Sequence, residues 1–219
     1  MKRRISIAVG MVAVAAFVTM SSSGVFAGVT DAPQSTQVGI LGVGQQVSVL
    51  SNFVQVDMKP IPGTDAPNTG LARPGDNIAA ICHLPDSRGQ EWVLGLNRNG
   101  RAGQQYTNTV GFIPRSTLDR NVELSPCTYY DANWATIGGN LYQVDMKPIA
   151  GTDAPNTGLA RSGDQLGFVC SLADSRGMSW ILVINLDGGR AGAQYPDTVG
   201  FVPAWTLVVK RTVYGCGAT

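Results

Sequence analysis

The 219-residue sequence is poor in the side chains that most often carry out catalysis or bind metals. It has one histidine, His83, and four cysteines, none in a Cys-x-x-Cys pair, so it lacks the spacing of a zinc site or a Cys-His nucleophile. Beyond residue 4, Lys210 and Arg211 form the longest basic run, which argues against nucleic acid as a partner. We therefore expect a protein that is not an enzyme and that needs no metal or cofactor.

Long apolar runs are also missing after the N-terminus. There, residues 2–4 are basic and an apolar stretch from Ile5 to Met20 leads into the small residues SSSGVFAG. This pattern predicts a secretory signal peptide, residues 1–27, and favours it over a membrane anchor. Cleavage removes three of the 16 basic residues and none of the 15 acidic ones, which leaves a nearly neutral chain. We expect a secreted protein, extracellular or associated with the cell wall, with no transmembrane anchor after cleavage.

A long phrase occurs twice in the sequence. QVDMKPIPGTDAPNTGLARPGD begins at Gln55 and QVDMKPIAGTDAPNTGLARSGD begins at Gln143. Aligned to Cys127 and Cys216, the copies agree at roughly 43 of 73 positions, and the second has one extra residue, Gly189, in a Gly- and Asn-rich turn. The repeat predicts two domains, each of fewer than about 100 residues.

Residue patterns throughout the copies are typical of strands. The segments NIAAICHL, EWVLGLN and TVGFIP, and their second-copy equivalents, are short, apolar and rich in β-branched or aromatic residues. Glycine and proline interrupt them at short intervals, and no stretch with helical periodicity follows residue 27. The sequence therefore predicts an all-β fold of small barrels, with Trp92 and Trp180 in the barrel wall.

The four cysteines follow the same repeat. Cys82 corresponds to Cys170, and Cys127 to Cys216. Four cysteines allow three pairings. Pairing Cys82 with Cys127 and Cys170 with Cys216 gives each copy its own bridge, so that the duplication carries a complete folding unit, and we predict that pairing.

The ordered motifs resemble the bacterial SH3-like domain. In the first copy they are a first strand VDMKPI, the polar loop PGTDAPNTGLARPGD, a strand ending in Cys82, then Trp92, GFIP and a closing STL. The second copy has the same order, with Trp180, GFVP and WTL. The cysteine positions are similar to those of secreted members from Gram-positive bacteria. The resemblance implies two SH3-like β-barrels in tandem, each closed by one disulfide, with the extended-peptide groove beside the long first loop.

Candidate ligand contacts follow from this resemblance. They are the polar residues of the two repeated loops and one tyrosine of each late hairpin: Asp65, Asn68, Thr69, Tyr106, Asp153, Asn156, Thr157 and Tyr195. The same loop oxygens could hold calcium, but TDAPNTG lacks the dense alternating acids of a calcium loop. The carboxylates of DSRG and of the Gly-Asp turns are expected to bond their own turn backbone and not to form a glycosidase pair.

Domain boundaries are placed around the repeats. They are the signal peptide 1–27, a lead-in 28–53 with a possible added strand, repeat 1 at 54–127, an aromatic-rich linker 128–141 and repeat 2 at 142–219. A flexible linker is poor in aromatics, so we expect this one to pack on a barrel or to bridge the two.

The sequence favours a non-enzymatic module that binds a peptide or glycopeptide ligand at the cell envelope. The alternative is a secreted inhibitor or an extracellular protein-interaction or matrix protein. The oligomeric state is left open.

Overall fold

The structure, a computed structural model, describes residues 44–63, 65–99, 108–128, 134–151, 153–187 and 198–216. Within these ranges the chain forms strands and short 3-10 turns, and no α-helix. The all-β prediction is confirmed. The strands are β1 Gln45–Val47, β2 Val56–Met58, β3 Gly70–Ala72, β4 Ile78–Pro85, β5 Glu91–Asn97, β6 Thr109–Pro114, β7 Trp134–Ile137, β8 Gln143–Met146, β9 Gly158–Arg161, β10 Leu166–Ala173, β11 Ser179–Asn185, β12 Thr198–Pro203 and β13 Leu207–Val209.

Each repeat consists of an antiparallel sheet and a separate hairpin. The first sheet has the order β1-β4-β5-β6 beside the hairpin β2-β3, and the second has the order β12-β11-β10-β7-β13 beside the hairpin β8-β9. A 3-10 turn follows β6 at Arg115–Thr117 and β12 at Ala204–Thr206. Residues of the long central strands β4, β5, β10 and β11 are mostly buried, as expected for short apolar strands in a core.

The described sheets are not closed into barrels, in contrast to the predicted closed form. In repeat 1 the hairpin is attached to β6 by a single-residue bridge, in which Lys59 and Phe112 exchange backbone hydrogen bonds of 2.9 and 2.7 Å. Lys147 and Phe201 make the same bridge in repeat 2. The next N–H on the same edge of β6 is that of Val110, and it donates to repeat 2 instead, as the equivalent Val199 N–H of β12 donates to repeat 1, so each bridge is one residue long.

Both predicted disulfides are present. Cys82 is bonded to Cys127, and Cys170 to Cys216, with sequence separations of 45 and 46 residues. Each ties a central strand to the segment that follows the 3-10 turn. In the chain-entropy model a loop of this length contributes about 4 kcal/mol by restricting the unfolded chain.

The two repeats share one hydrophobic core. Trp92 and Phe112 of repeat 1 belong to the same buried cluster as Trp180 and Phe201 of repeat 2, together with both disulfides. Both tryptophans are 1% exposed, so the prediction that they are core residues is confirmed. Each repeat also has a smaller cluster of its own, around Met58 and around its equivalent in repeat 2.

Among the described residues, equivalent backbone hydrogen bonds run in both directions between the repeats. The Val110 N–H donates to Pro148 O and the Val199 N–H donates to Pro60 O, both at 2.8 Å. The two bonds are exchanged when the repeats are exchanged, so the interface has pseudo-two-fold symmetry. Pro60 and Pro148, at equivalent positions of the repeated phrase, are therefore part of the contact between the copies.

The segments before each repeat supply strands. β1 lies in the lead-in and pairs with β4 from Gln45–Ala80 to Val47–Ile78. β7 lies in the segment expected to be an aromatic linker, and it pairs with both β10 and β13. This linker segment, from residue 134, is therefore part of the second sheet.

Candidate functional site

The repeated polar loop is organised around a lysine. Lys59 Nζ donates to Ala66 O at 2.7 Å and to Asn68 Oδ1 at 2.6 Å. In repeat 2, Lys147 Nζ donates to Ala154 O and Asn156 Oδ1 at 2.8 and 2.6 Å. The predicted ligand contacts Asn68 and Asn156 thus have an internal role, because each holds the lysine amine inside its own loop.

The threonines of the loop pack against β6 and β12. A Cβ built on Gly111 would lie 2.4 Å from Thr69 Oγ1, and one on Gly200 would lie 2.6 Å from Thr157 Oγ1. Thr157 Oγ1 also donates to Val199 O at 3.0 Å. Glycine is required at these two positions because the loop approaches the strand so closely.

The remaining predicted contacts are the loop carboxylates and the hairpin tyrosines. Asp65 and Asp153 are exposed on the loop surface. Tyr106 and Tyr195 lie outside the described residues. As ligand contacts, all four stay predictions.

The carboxylates of the DSRG turns bond their own turn backbone. Asp86 Oδ1 accepts from the N–H of Arg88 and of Gln90 at 2.8 and 2.9 Å, and Oδ2 accepts from Trp92 Nε1 at 3.3 Å. Burial raises the pKa of Asp86, but these hydrogen bonds outweigh it and hold the pKa below 3.8. The carboxylate therefore fixes both the turn and the core tryptophan.

Asp174 makes the equivalent contacts in repeat 2. The N–H of Met178 lowers its pKa most, and Trp180 Nε1 and the N–H of Arg176 add to the effect against a smaller opposing effect of burial. The carboxylate stays ionised and structural in both repeats, as the turn chemistry predicted.

The Gly-Asp turns also use their carboxylates internally. Asp76 Oδ2 accepts from the Arg73 N–H at 2.9 Å and from Asn97 Nδ2 at 2.8 Å. Asp164 accepts equivalent bonds from the Arg161 N–H and Asn185. Both aspartates are buried, and these bonds to Oδ2 offset part of the cost of placing a carboxylate in the core.

A pocket of about 390 Å³ lies beside the 3-10 turn of repeat 1. Six of its seven lining residues have polar or charged side chains, and we call it the repeat-1 pocket: Gln90, Glu91, Arg115, Ser116, Leu118, Arg120 and Asn121. Trp92 pairs with Pro114 at the end of the β5-β6 ladder, so Glu91 at the start of β5 lies near the 3-10 turn that begins at Arg115. Charged side chains of both signs therefore meet in one concavity.

The equivalent place in repeat 2 is apolar. Six of the seven pocket residues differ there: Gln90 is replaced by Met178, Glu91 by Ser179, Arg115 by Ala204, Ser116 by Trp205, Arg120 by Val209 and Asn121 by Lys210. Trp205 is 69% exposed and Met178 is 38% exposed. Trp180 pairs with Pro203, directly before the 3-10 turn that carries Trp205, and Met178 lies just before β11, two residues from Trp180. We call these two residues the repeat-2 apolar surface.

The neighbouring pair β7-β13 adds further exposed apolar groups. Val208 pairs with Thr136 and Val209 with Ala135, and Lys210 and Trp134 are the next residue of each segment. Lys210 Nζ is 4.6 Å from the centre of the Trp134 ring, a cation–π contact. Because alternate residues of a strand share a face, Trp134 and Val208 point to the same outer side of this sheet.

Sequence reasoning missed both the pocket and the repeat-2 apolar surface because it looked for a site where the copies agree. The available signal was local disagreement: Ser116 and Trp205 differ within PRSTL and PAWTL, where proline, threonine and leucine are shared. The shared proline and threonine flank the turn in both copies, so packing of the turn does not require a tryptophan in place of the serine.

Across the described ranges, no three His, Cys, Asp or Glu side chains gather in a way that could hold a metal ion. In that same part of the chain, no helix is long and apolar enough to span a membrane.

Comparison with protein-family models finds no family that matches this chain, and comparison with curated proteins finds no significant match.

Proposed function

We propose that this protein is a secreted, non-enzymatic binding module that recognises a peptide or glycopeptide ligand at the cell envelope through the repeat-2 apolar surface. The observation that carries the proposal is Trp205, which exposes 69% of its surface on a short turn. An exposed tryptophan is costly to leave in water, and tryptophan is among the residues that contribute most to binding energy.

The turn that presents Trp205 is already fixed. Thr206 Oγ1 donates to Pro203 O at 2.7 Å, and Pro203 restricts the backbone just before the turn. A ligand that stacks on the indole would therefore not have to order this segment, and preorganisation of this kind raises affinity. Met178, which is also exposed, would extend the apolar contact with an adaptable side chain.

We further propose that each repeat is a variant of the bacterial SH3-like domain. The ordered motifs support this proposal, as do the hairpin that occupies the long first loop and the 3-10 turn that precedes the final strand segment. In this variant the hairpin is attached by one bridge rather than by a continuous barrel ladder. The resemblance is also the source of the proposed cell-envelope ligand.

Export is part of the proposal. The predicted signal peptide 1–27 supports it, and so do the two disulfides, because such bonds persist in oxidising compartments. A binding role, rather than catalysis, is supported by the internal use of the turn carboxylates. Asp76, Asp86, Asp164 and Asp174 each accept backbone N–H groups.

The test is a pull-down of the purified, oxidised protein with isolated Gram-positive cell walls, competed by soluble wall peptides. We expect Trp205→Ala to lose most of the retention and Tyr142→Ala, another exposed aromatic of repeat 2, to retain it. Equal retention of both variants would contradict the site. A stoichiometric block of an extracellular protease, with no retention on walls, would favour the alternative of a secreted inhibitor.

A further inference from the structure

The repeat-1 pocket differs in charge from its equivalent in repeat 2. Glu91, Arg115 and Arg120 line it, which gives one negative and two positive side chains. The equivalent positions in repeat 2 hold serine, alanine and valine. The repeats have the same strand start at Glu91 and the same 3-10 turn at Arg115, so the fold there does not require these charges.

Arg115 is held rigidly at the pocket wall. Its Nη2 donates to Asn121 Oδ1 at 2.9 Å and to Val122 O at 2.6 Å. A guanidinium has five N–H donors, and these two bonds leave three for a ligand. A fixed guanidinium loses little freedom on binding a planar carboxylate, so it favours bidentate recognition.

Glu91 is oriented by a histidine that only repeat 1 has. His83 Nδ1 contacts Glu91 Oε2 at 2.5 Å, and the glutamate side chain is 41% exposed. This contact does not use the other carboxylate oxygen of Glu91, which can accept a hydrogen bond from a ligand. The equivalent pair in repeat 2 is Ser171 and Ser179, which cannot place a negative charge there.

Arg120 provides the second positive charge. Its Nε lies 3.8 Å from Asp119 Oδ2, and its side chain is 65% exposed. A contact of this length at an exposed site is weak, so the guanidinium can turn toward an anion in the pocket at little cost.

We propose that the repeat-1 pocket binds the C-terminal end of a short peptide. Arg115 and Arg120 bind the terminal carboxylate, and Glu91 accepts an N–H from the last residues. The mixed charges favour this ligand over a phosphate, because Glu91 would repel a dianion that offers no donor in return. A volume of about 390 Å³ falls in the range of small-ligand sites.

Calorimetric titration of the full oxidised protein tests the proposal, with alanyl-alanine and its C-terminal amide as probes. We expect the acid to bind and the amide to bind at least about tenfold more weakly, since it loses charge-assisted hydrogen bonds. Inorganic phosphate is the third probe and is expected to compete weakly. Equal affinity for acid and amide, no binding of the acid, or phosphate binding as tight as the dipeptide would each overturn the proposal.

Repeat 2 supplies substitutions that the fold already accepts. Arg120→Val and Glu91→Ser copy its residues, so we expect both variants to fold, with dipeptide affinity lowered at least about tenfold for the first and severalfold for the second. Arg176→Ala removes an exposed positive charge from repeat 2 and should bind as the wild type does. Unchanged affinity in the two pocket variants would contradict the assignment.

This pocket is separate from the repeat-2 apolar surface, so the two proposals can fail independently. Trp205→Ala should leave dipeptide affinity unchanged while it reduces retention on cell walls. A loss of both activities in that one variant would contradict the separation of the sites.

Discussion

The two repeats have matching residues where they touch each other and different residues beside their 3-10 turns. Trp92 and Phe112 at the shared core match Trp180 and Phe201, and the cross-repeat bonds use equivalent residues. At the turn, a charged pocket in one repeat faces solvent where the other exposes tryptophan and methionine. A pseudo-symmetric core thus holds two surfaces of different chemistry, which suits a protein with two unlike binding sites.

The largest expected effect comes from breaking the shared core. Trp92→Ala and Trp180→Ala should each lower the free energy of unfolding by about 3–5 kcal/mol, because each empties a large buried volume. Since both side chains belong to one cluster, urea unfolding should remain a single transition in either variant. Trp205→Ala, at the exposed turn, should change stability by no more than about 0.5 kcal/mol. Two separate transitions, with only the mutated repeat shifted, would contradict a common core.

A smaller effect is expected at the close approach of loop and strand. Gly111→Ala and Gly200→Ala should each cost about 1–3 kcal/mol, because the added methyl group meets a threonine hydroxyl. Equal stability of the alanine and glycine forms in denaturant titrations would show that the loop can move away.

Removal of the threonine hydroxyl sharpens this comparison between repeats. Thr69 Oγ1 has no hydrogen-bond partner in the described part of the chain, whereas Thr157 Oγ1 donates to Val199 O. Thr69→Ala should therefore recover more of the stability lost in Gly111→Ala than Thr157→Ala recovers of the stability lost in Gly200→Ala. Thermodynamic cycles of the two pairs measure the difference, and identical coupling would contradict the assigned contacts.

The smallest expected effect is a dependence of stability on acid pH. The pKa values of Asp86 and Asp174 lie below 3.8 in the folded protein, so the unfolded chain takes up their protons first as the pH falls. The stabilisation is complete above the unfolded pKa and is lost as pH drops through the folded pKa. In Asp86→Asn and Asp174→Asn, urea midpoints measured from about pH 6 to pH 3 should fall less steeply than in the wild type. Parallel curves would contradict the role of these carboxylates.

The frame of the molecule could be predicted because it depends on local chemistry that both copies repeat. The disulfide pairing followed from the cysteine positions, and the turn roles of Asp86 and Asp76 followed from the preference of aspartate for its own turn backbone. The burial of Trp92 followed from its place at the start of an apolar strand.

The candidate site could not be predicted in the same way, because it depends on contacts between distant residues. No local pattern shows that Asn68 accepts a hydrogen bond from Lys59. This bond gives the repeated polar loop a structural role. Likewise, Glu91 and Arg115 are distant in sequence and line one pocket only because β5 pairs with β6, at whose end the 3-10 turn begins. The shared core could not be predicted either, because the sequence of one repeat predicts an apolar face but does not show what covers it.

The account rests most directly on Trp205, and a binding isotherm on isolated Gram-positive cell walls tests it. The variant Trp205→Ser restores the residue that repeat 1 has at this position, and Ser116→Ala is the matched change in repeat 1. We expect retention to fall at least about tenfold for Trp205→Ser, as for a buried aromatic anchor, and to stay at the wild-type level for Ser116→Ala. Wild-type retention of a correctly folded Trp205→Ser protein would contradict the proposed function.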